Sequence, residues 1–244
     1  MVWILLVVLV LMLSLSYGAK AGLILFFSLL YGWYLFWASA NIRSGAYIPT
    51  VNCRADKHGQ VALTFDDGPD GATSGILDLL ARYNAKGSFF MIGAKITGNE
   101  NVLRRMAREG HLVGNHSWGH AFLFPVRHVK KIRQEIISTR DMLEQITSLP
   151  NDYFRPPYGV TNPLVARALK GLGMRVVGWT VRSLDTRNEP VEEVFRRITK
   201  NLKGGDIVLL HDTSAHILPL LEQLLIWLQE QGLEAVTVEK LLKD

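Results

Sequence analysis

Five side chains carry most of the chemical potential of this chain: Asp66, Asp67, His116, His120 and His211. Asp66 and Asp67 stand side by side in Thr64-Phe65-Asp66-Asp67-Gly68-Pro69. Adjacent acids rarely serve stability, because like charges repel. A metal ion together with a proton to be taken up gives each of them a role, since one carboxylate ligates and the other stays free as a base. A bare Asp-Asp-Gly-Pro otherwise reads as a solvated turn. His116 and His120 are four apart in His116-Ser117-Trp118-Gly119-His120. On a helical turn that spacing puts both imidazoles on one side. Two histidines and one carboxylate make a ligand set with positions open to water and substrate. It suits one divalent ion, zinc first, with cobalt, iron or nickel as alternatives. His211 follows the apolar run Ile207–Leu210 and has the titration range of a general acid. Arg155, in Arg155-Pro156-Pro157-Tyr158-Gly159, is a fixed charge suited to holding Asp66 ionised. His58, His111, His128 and His216 match no ligand spacing and read as surface or loop residues.

These residues need a scaffold that delivers them to one place. From Val61 onward, short β-rich runs alternate with amphipathic helical patterns. The strand-like runs are Val61–Phe65, Ser88–Ile92, Leu112–Asn115, Tyr153–Phe154, Arg175–Thr180, Asp206–Leu210 and Glu234–Val236. Between them, Ile132, Ile136, Leu143 and Ile146 recur at helical spacing, and so do Val191, Phe195, Ile198 and Leu202. Gly87, Gly110, Gly173 and Gly232 stand where helices would end before a strand, and glycine accepts the left-handed closing conformation. A βα repeat implies a mostly parallel sheet. About seven strands point to a distorted (β/α) barrel of the α/β class. Asp66-Asp67, His116, Arg155, Asp185 and His211 each follow a strand-like run, and in such barrels the carboxyl ends of the strands form the active-site face.

The first forty residues differ. Up to Asn41 the only charged residue is Lys20. Val2–Tyr17 and Ala21–Ala40 are each close to the ~20 apolar residues that a membrane span needs. With Gly18-Ala19-Lys20 as a turn between them, they read as a transmembrane helical hairpin. Trp33, Tyr34 and Trp37 fit an aromatic belt near the end of the second span. A cleaved signal peptide followed by one span competes, since Ala19-Lys20-Ala21 resembles a cleavage site. The division expected is a membrane anchor over 1–41, a linker over 42–58 and a catalytic domain over 59–244. Lys20 on the cytoplasmic side would place that domain outside, although Arg43 pulls the other way.

Composition excludes other classes. Of 244 residues, 48% are hydrophobic and 20% charged, which is not the balance of a disordered chain. The net charge of +5 comes with no dense basic patch interleaved with aromatics, so nucleic acid is not expected as a partner. The single cysteine, Cys53, permits neither an intramolecular disulfide nor a multi-thiolate metal site.

Taken in order, the motifs over about residues 59–240 resemble the polysaccharide deacetylase family, the NodB-type or carbohydrate esterase family 4 domain. The resemblance implies Asp66 as catalytic base and Asp67, His116 and His120 as metal ligands. It implies that Arg155 orients the base and that the Tyr158 backbone N–H helps hold the oxyanion. It implies that Leu209 lines the pocket for the acetyl methyl and that His211 is the general acid. The fourth motif departs from the family pattern of D-x-x-D-W, for here the stretch is Arg182-Ser183-Leu184-Asp185-Thr186. Asp185 survives to orient His211, while Arg182 replaces an acid and Thr186 a tryptophan. Trp179 is a candidate aromatic wall, with core packing as its alternative. The implied activity is metal-dependent N-deacetylation of N-acetylglucosamine-type units in peptidoglycan, a chitin-like polymer or an exopolysaccharide. A deacylase or deformylase of a lipid-linked N-acyl sugar is the alternative, and a non-catalytic carbohydrate-binding membrane protein is an alternative of another class.

Overall fold

The computed structural model describes residues 16–187 and 189–243. Most of the first apolar run, and with it half of the expected hairpin, lies outside the described residues. The described chain opens on one helix, α1 (Tyr17–Ala40), long and apolar enough to cross a membrane. Gly18-Ala19-Lys20 is not a turn between helices but the first turn of α1. Ser16 caps that helix by accepting the Ala19 N–H, which supplies the start signal.

Nine strands come after it, interleaved with helices: β1 (Thr50–Val51), β2 (Gln60–Gly68), β3 (Ser88–Met91), β4 (Leu112–Asn115), β5 (Tyr153–Phe154), β6 (Arg175–Val177), β7 (Val181–Arg182), β8 (Ile207–His211) and β9 (Glu234–Val236). The helices after α1 are α2 (Thr73–Arg82), α3 (Glu100–Arg108), α4 (Val129–Thr147), α5 (Pro163–Leu169), α6 (Val191–Thr199), α7 (Ile217–Glu230) and α8 (Val238–Leu242). All paired strands are parallel, in the order β1-β6-β5-β4-β3-β2-β8-β7, with β9 against the first residues of β2. Arg175–Thr180, expected as one strand, is broken at Gly178-Trp179. Its first part pairs with β5, and β7, just beyond the break, pairs with β8. That switch curls the sheet into a distorted barrel. The break has its cause in Arg155, whose guanidinium donates to the Val177 and Gly178 carbonyls.

Strand alternation separates core from chemistry. On β2, Val61, Leu63 and Phe65 face the helical layer and join Phe89, Val208 and Leu210 in the main core. Phe65 and Phe89 stack at 4.9 Å. Fully burying such a side chain stabilises the fold by roughly 1.5–3 kcal/mol. The opposite face of β2 carries Ala62, Thr64 and Asp66, all buried. Of the four expected helix-closing glycines, Gly110, Gly173 and Gly232 have positive φ. Gly87 does not, because Asn84 (φ 50°) turns the chain after α2.

Residues 42–58, expected as a linker, are tied to the barrel. Ile42 and Ile48 are buried, β1 pairs with β6, and Cys53 bridges to Asp206. Two residues of strand carry too little periodicity to be read from sequence.

Candidate active site

β2 ends in the two carboxylates. On a regular strand Asp66 and Asp67 would point to opposite faces. Here the register slips between Asp66 and Gly68, and Asp67 takes a left-handed conformation with φ 70°. Both side chains therefore reach His116: its Nε2 lies 3.7 Å from Asp66 Oδ2 and 3.5 Å from Asp67 Oδ1. Gly68 permits this turn, for a Cβ there would collide with the Asp212 carboxylate and the Met91 side chain. Lys95 holds the turn from outside, donating from Nζ to the Asp67 carbonyl at 2.9 Å.

His116 and His120 do converge, but not on a helix. Residues 116–120 are a loop in which Ser117 and His120 have φ of 67° and 46°. Asn115 Oδ1 accepts the Ser117 N–H, and Ser117 Oγ accepts the His120 N–H. These local bonds replace the helical turn expected from the spacing. The His116 ring is fixed by a 2.8 Å contact between Nδ1 and the Arg155 carbonyl, which aims Nε2 inward. Burial, with the neighbouring His120 adding to it, pulls His116 down to about 3, so its imidazole is neutral and able to ligate.

Asp67, His116 and His120 each offer a ligand atom, all within 4.8 Å of one another. Asp67 Oδ1 is buried and has no hydrogen-bond partner, yet it lies 3.4 Å from His120 Nε2. A buried acceptor without a donor, facing two imidazole nitrogens, is the arrangement a divalent cation satisfies. The donor set thus fits a metal ion.

Arg155 is fully buried behind this cluster. One of its nitrogens donates to Asp66 Oδ1 at 2.7 Å and to Thr64 Oγ1 at 2.8 Å. Its other two nitrogens donate to the Val177 and Gly178 carbonyls, and the guanidinium lies 4.3 Å from the Phe90 ring centroid. Burial pushes the Asp66 carboxyl up, against the opposing pull of Arg155 and His211. Burial also pushes Arg155 down, which Asp66 opposes. Both shifts express the desolvation of one ion pair.

Asp66 sits beside His211 in the β2–β8 register. The His211 ring is gripped by Asp185: Nδ1 lies 2.8 Å from Oδ1, and the His211 N–H donates to Oδ2 at 2.8 Å. Ser183 donates to Asp185 Oδ1 at 2.7 Å. Burial pulls His211 down, but the hydrogen bond and charge of Asp185 outweigh it, and the pKa is raised. Arg182 leaves this pair intact. It is exposed, with its guanidinium 5.9 Å from the Trp179 ring centroid. Trp179 also packs within 5.6 Å of the Arg155 guanidinium and partly joins the inner core. Leu209 is buried beside Thr64 and Arg182. Tyr158 has φ 60°, and its ring lies 4.7 Å from His120. Among the described residues its backbone N–H has no acceptor.

Every candidate catalytic and metal-ligating residue thus lies on one rim. Sequence reasoning missed Thr64, Ser183 and Asp212. Thr64 bridges Arg155 to the Val208 carbonyl, and its signal was the two-residue spacing to Asp66. Asp212 is buried against Thr73, and burial raises its carboxyl to about 7. His111 lies in the loop before β4 but is buried, and accepts the Gly87 N–H through Nδ1.

Residues 54–177 match the polysaccharide deacetylase family. The chain is 36% identical to a peptidoglycan-N-acetylglucosamine deacetylase of Bacillus cereus, over 75% of this chain and 88% of that protein. It is 33% identical to the peptidoglycan-N-acetylglucosamine deacetylase PgdA of Listeria monocytogenes, over 81% of this chain but only 42% of that longer protein. The solved structure of the peptidoglycan deacetylase PdaC from Bacillus subtilis superposes with a TM-score of 0.71 at 32% identity, covering 77% of this chain and 92% of that one. The chain therefore belongs to the polysaccharide deacetylase family.

Proposed function

We propose that this protein is a metal-dependent hydrolase that removes the acetyl group from N-acetylglucosamine-type units of a cell-envelope polysaccharide. The observation that carries the proposal is the convergence of Asp67, His116 and His120 around an unsatisfied carboxylate oxygen, with a separate acid and base beside them. Those three residues would hold the ion, for which zinc suits the two-imidazole, one-carboxylate set. When bound there, a divalent ion supplies Lewis acidity toward the acyl oxygen and lowers the pKa of water.

The remaining work falls to the chain's own side chains. Asp66 takes the proton of the attacking water at the carboxylate oxygen not engaged by Arg155. Arg155 fixes that carboxylate and leaves one oxygen facing the site. The free Tyr158 N–H donates to the oxyanion as the carbonyl becomes tetrahedral. His211 gives its Nε2 proton to the departing amine, while Asp185 holds the ring from the Nδ1 side and keeps it protonated. Leu209 and Trp179 exclude water around the acyl methyl. Acetate and a free amino sugar result. α1 anchors the domain in the membrane, with the catalytic side facing the envelope.

Acetate release from chito-oligosaccharides and from peptidoglycan, with and without chelator, tests the proposal. Release by the metal-loaded protein that stops on chelation is expected. No release from any N-acyl sugar by the metal-loaded protein would end it. A lipid-linked N-acyl sugar is the second substrate form to assay, because the segment that follows Tyr158 is tied to the end of α1: the Thr161 N–H donates to the Ser39 carbonyl.

A further inference from the structure

Outside α1, the three most exposed large apolar side chains among the described residues are Phe122 (81%), Val126 (65%) and Leu123 (58%). They sit in one five-residue stretch that begins two residues after His120. The stretch is firmly held. Phe124 and Pro125 are buried, Phe124 in the cluster that contains Ile48 and Val165. With those two side chains inward, the other three are held out in solvent, where apolar groups gain nothing unless something covers them.

Two observations indicate what covers them. The first is continuity with the span. The Pro125 carbonyl accepts from Asn162 Nδ2 at 2.7 Å, and the adjacent Thr161 donates to Ser39 in the last turn of α1. The aromatic stretch of α1, with Trp33 and Trp37 exposed, ends within a turn of that contact. Such a girdle marks the lipid–water interface. The second is charge. Arg43 is exposed just beyond α1, and Lys130 and Lys131 are exposed just beyond the apolar turn. Basic residues flanking an apolar insertion suit anionic head groups. The same turn also reaches the site, for the Phe122 ring lies 6.1 Å from Tyr158, which packs on His120.

We propose that residues 122–126 form a second membrane contact beside α1, so that the catalytic mouth works against the bilayer surface and takes the N-acetylglucosamine-type units of its glycan while they are still attached to a membrane-borne lipid carrier. The membrane contact rests on α1 as the span proposed above together with this geometry; the substrate class rests on the deacylase function proposed above.

Cys53 is exposed and is the sole cysteine, so a Cys53→Ser background allows one environment-sensitive label. The full chain with Leu123→Cys carries an NBD fluorophore and is reconstituted in phosphatidylcholine–phosphatidylglycerol vesicles. Gln231→Cys, at the opposite end of the barrel ahead of β9, is the control. The label at 123 is expected to emit to the blue of the control, with at least threefold stronger quenching by doxyl-labelled lipid. Water-like emission at 123, equal to the control, would overturn the contact. In a second arm, wild type and L123S/V126S are given N-acetylglucosamine on a vesicle-embedded polyprenyl carrier and as soluble chito-oligosaccharide. The embedded-to-soluble turnover ratio is expected to fall at least tenfold in the variant, and an unchanged ratio would overturn the substrate class. Absence of acetate from both forms with wild type would instead remove the deacylase function, while the label result still decides the contact.

Discussion

His111 stands just before β4 and His116 just after it, one at each end of the barrel, and both are buried. Burial depresses both, His111 to about 4 and His116 to about 3, so both are neutral imidazoles. They differ in what meets them. His111 Nδ1 accepts the Gly87 N–H, and the ring packs edge-on against Phe89 at 5.6 Å. His116 turns Nε2 toward Asp66 and Asp67, with the His120 ring at 4.7 Å. A buried neutral histidine is therefore no sign of a ligand by itself. His111 Nε2 also lies 3.7 Å from Glu109 Oε2, but Arg105 holds that carboxylate and no second imidazole among the described residues meets it. The sign is two imidazoles converging on a carboxylate oxygen without a donor, as at Asp67.

The contrast between the two ends can be broken deliberately, starting with the variants of largest effect. Asp66→Asn removes the proposed proton acceptor at the rim but keeps an oxygen for Arg155. Turnover should fall roughly 10²–10⁴-fold with bound metal retained, as read by acetate release and metal content. A variant within tenfold of wild type would take the base role from Asp66. Arg155→Met leaves the Asp66 carboxylate buried without its partner. It should cost about 3–5 kcal/mol in urea unfolding, a large share of a domain's stability. A loss below about 1 kcal/mol would mean that the pair is not desolvated as the geometry indicates.

At the opposite end, His111 should write its burial into the acid stability of the fold. The unfolded chain binds a proton at the ordinary value near 6.5, whereas the folded chain waits until about 4. Stability from this residue is thus complete above pH 6.5 and is lost as pH falls from 6.5 toward 4. The loss is on the order of 3 kcal/mol. Subtracting the stability–pH curve of His111→Gln from that of wild type should isolate it, and coincident slopes between pH 6.5 and 4 would disprove it. The smallest effect is expected for Asp185→Asn. Asp185 raises His211, so the acid keeps its proton to higher pH than a free histidine would. The variant should lose roughly 10–100-fold in kcat, and the alkaline limb of its pH profile should move to lower pH. The same sign holds for stability: the contribution of the pair is complete below the unfolded value of 6.5 and fades as pH rises through the raised folded value. An unmoved limb would separate Asp185 from the proton donor.

Much of the rim was legible because strands advertise their ends. A run of apolar residues followed by an acid or a histidine, repeated along the chain, places those residues on one face. The closure of the site was less legible, because it depends on single backbone torsions. Nothing in the Asp66-Asp67 pair announces that Asp67 will turn left-handed and bring both carboxylates to the same side. The spacing of His116 and His120 gave the right pair for a different physical reason, since a loop braced by Asn115 and Ser117 replaces the helix. The break after Val177 was hidden because its cause, Arg155, lies more than twenty residues away. His111 escaped because a lone histidine beside Gly110 looks like a turn residue until Phe89 and Gly87 close over it.

The central claim is a single metal held by Asp67, His116 and His120. Equilibrium dialysis of zinc against metal-free wild type, His116→Ala and His111→Ala tests it most directly. One equivalent per chain is expected for wild type and for His111→Ala, and a loss of at least about 10²-fold in affinity for His116→Ala. Unchanged tight binding by His116→Ala, or none by wild type, would contradict the account.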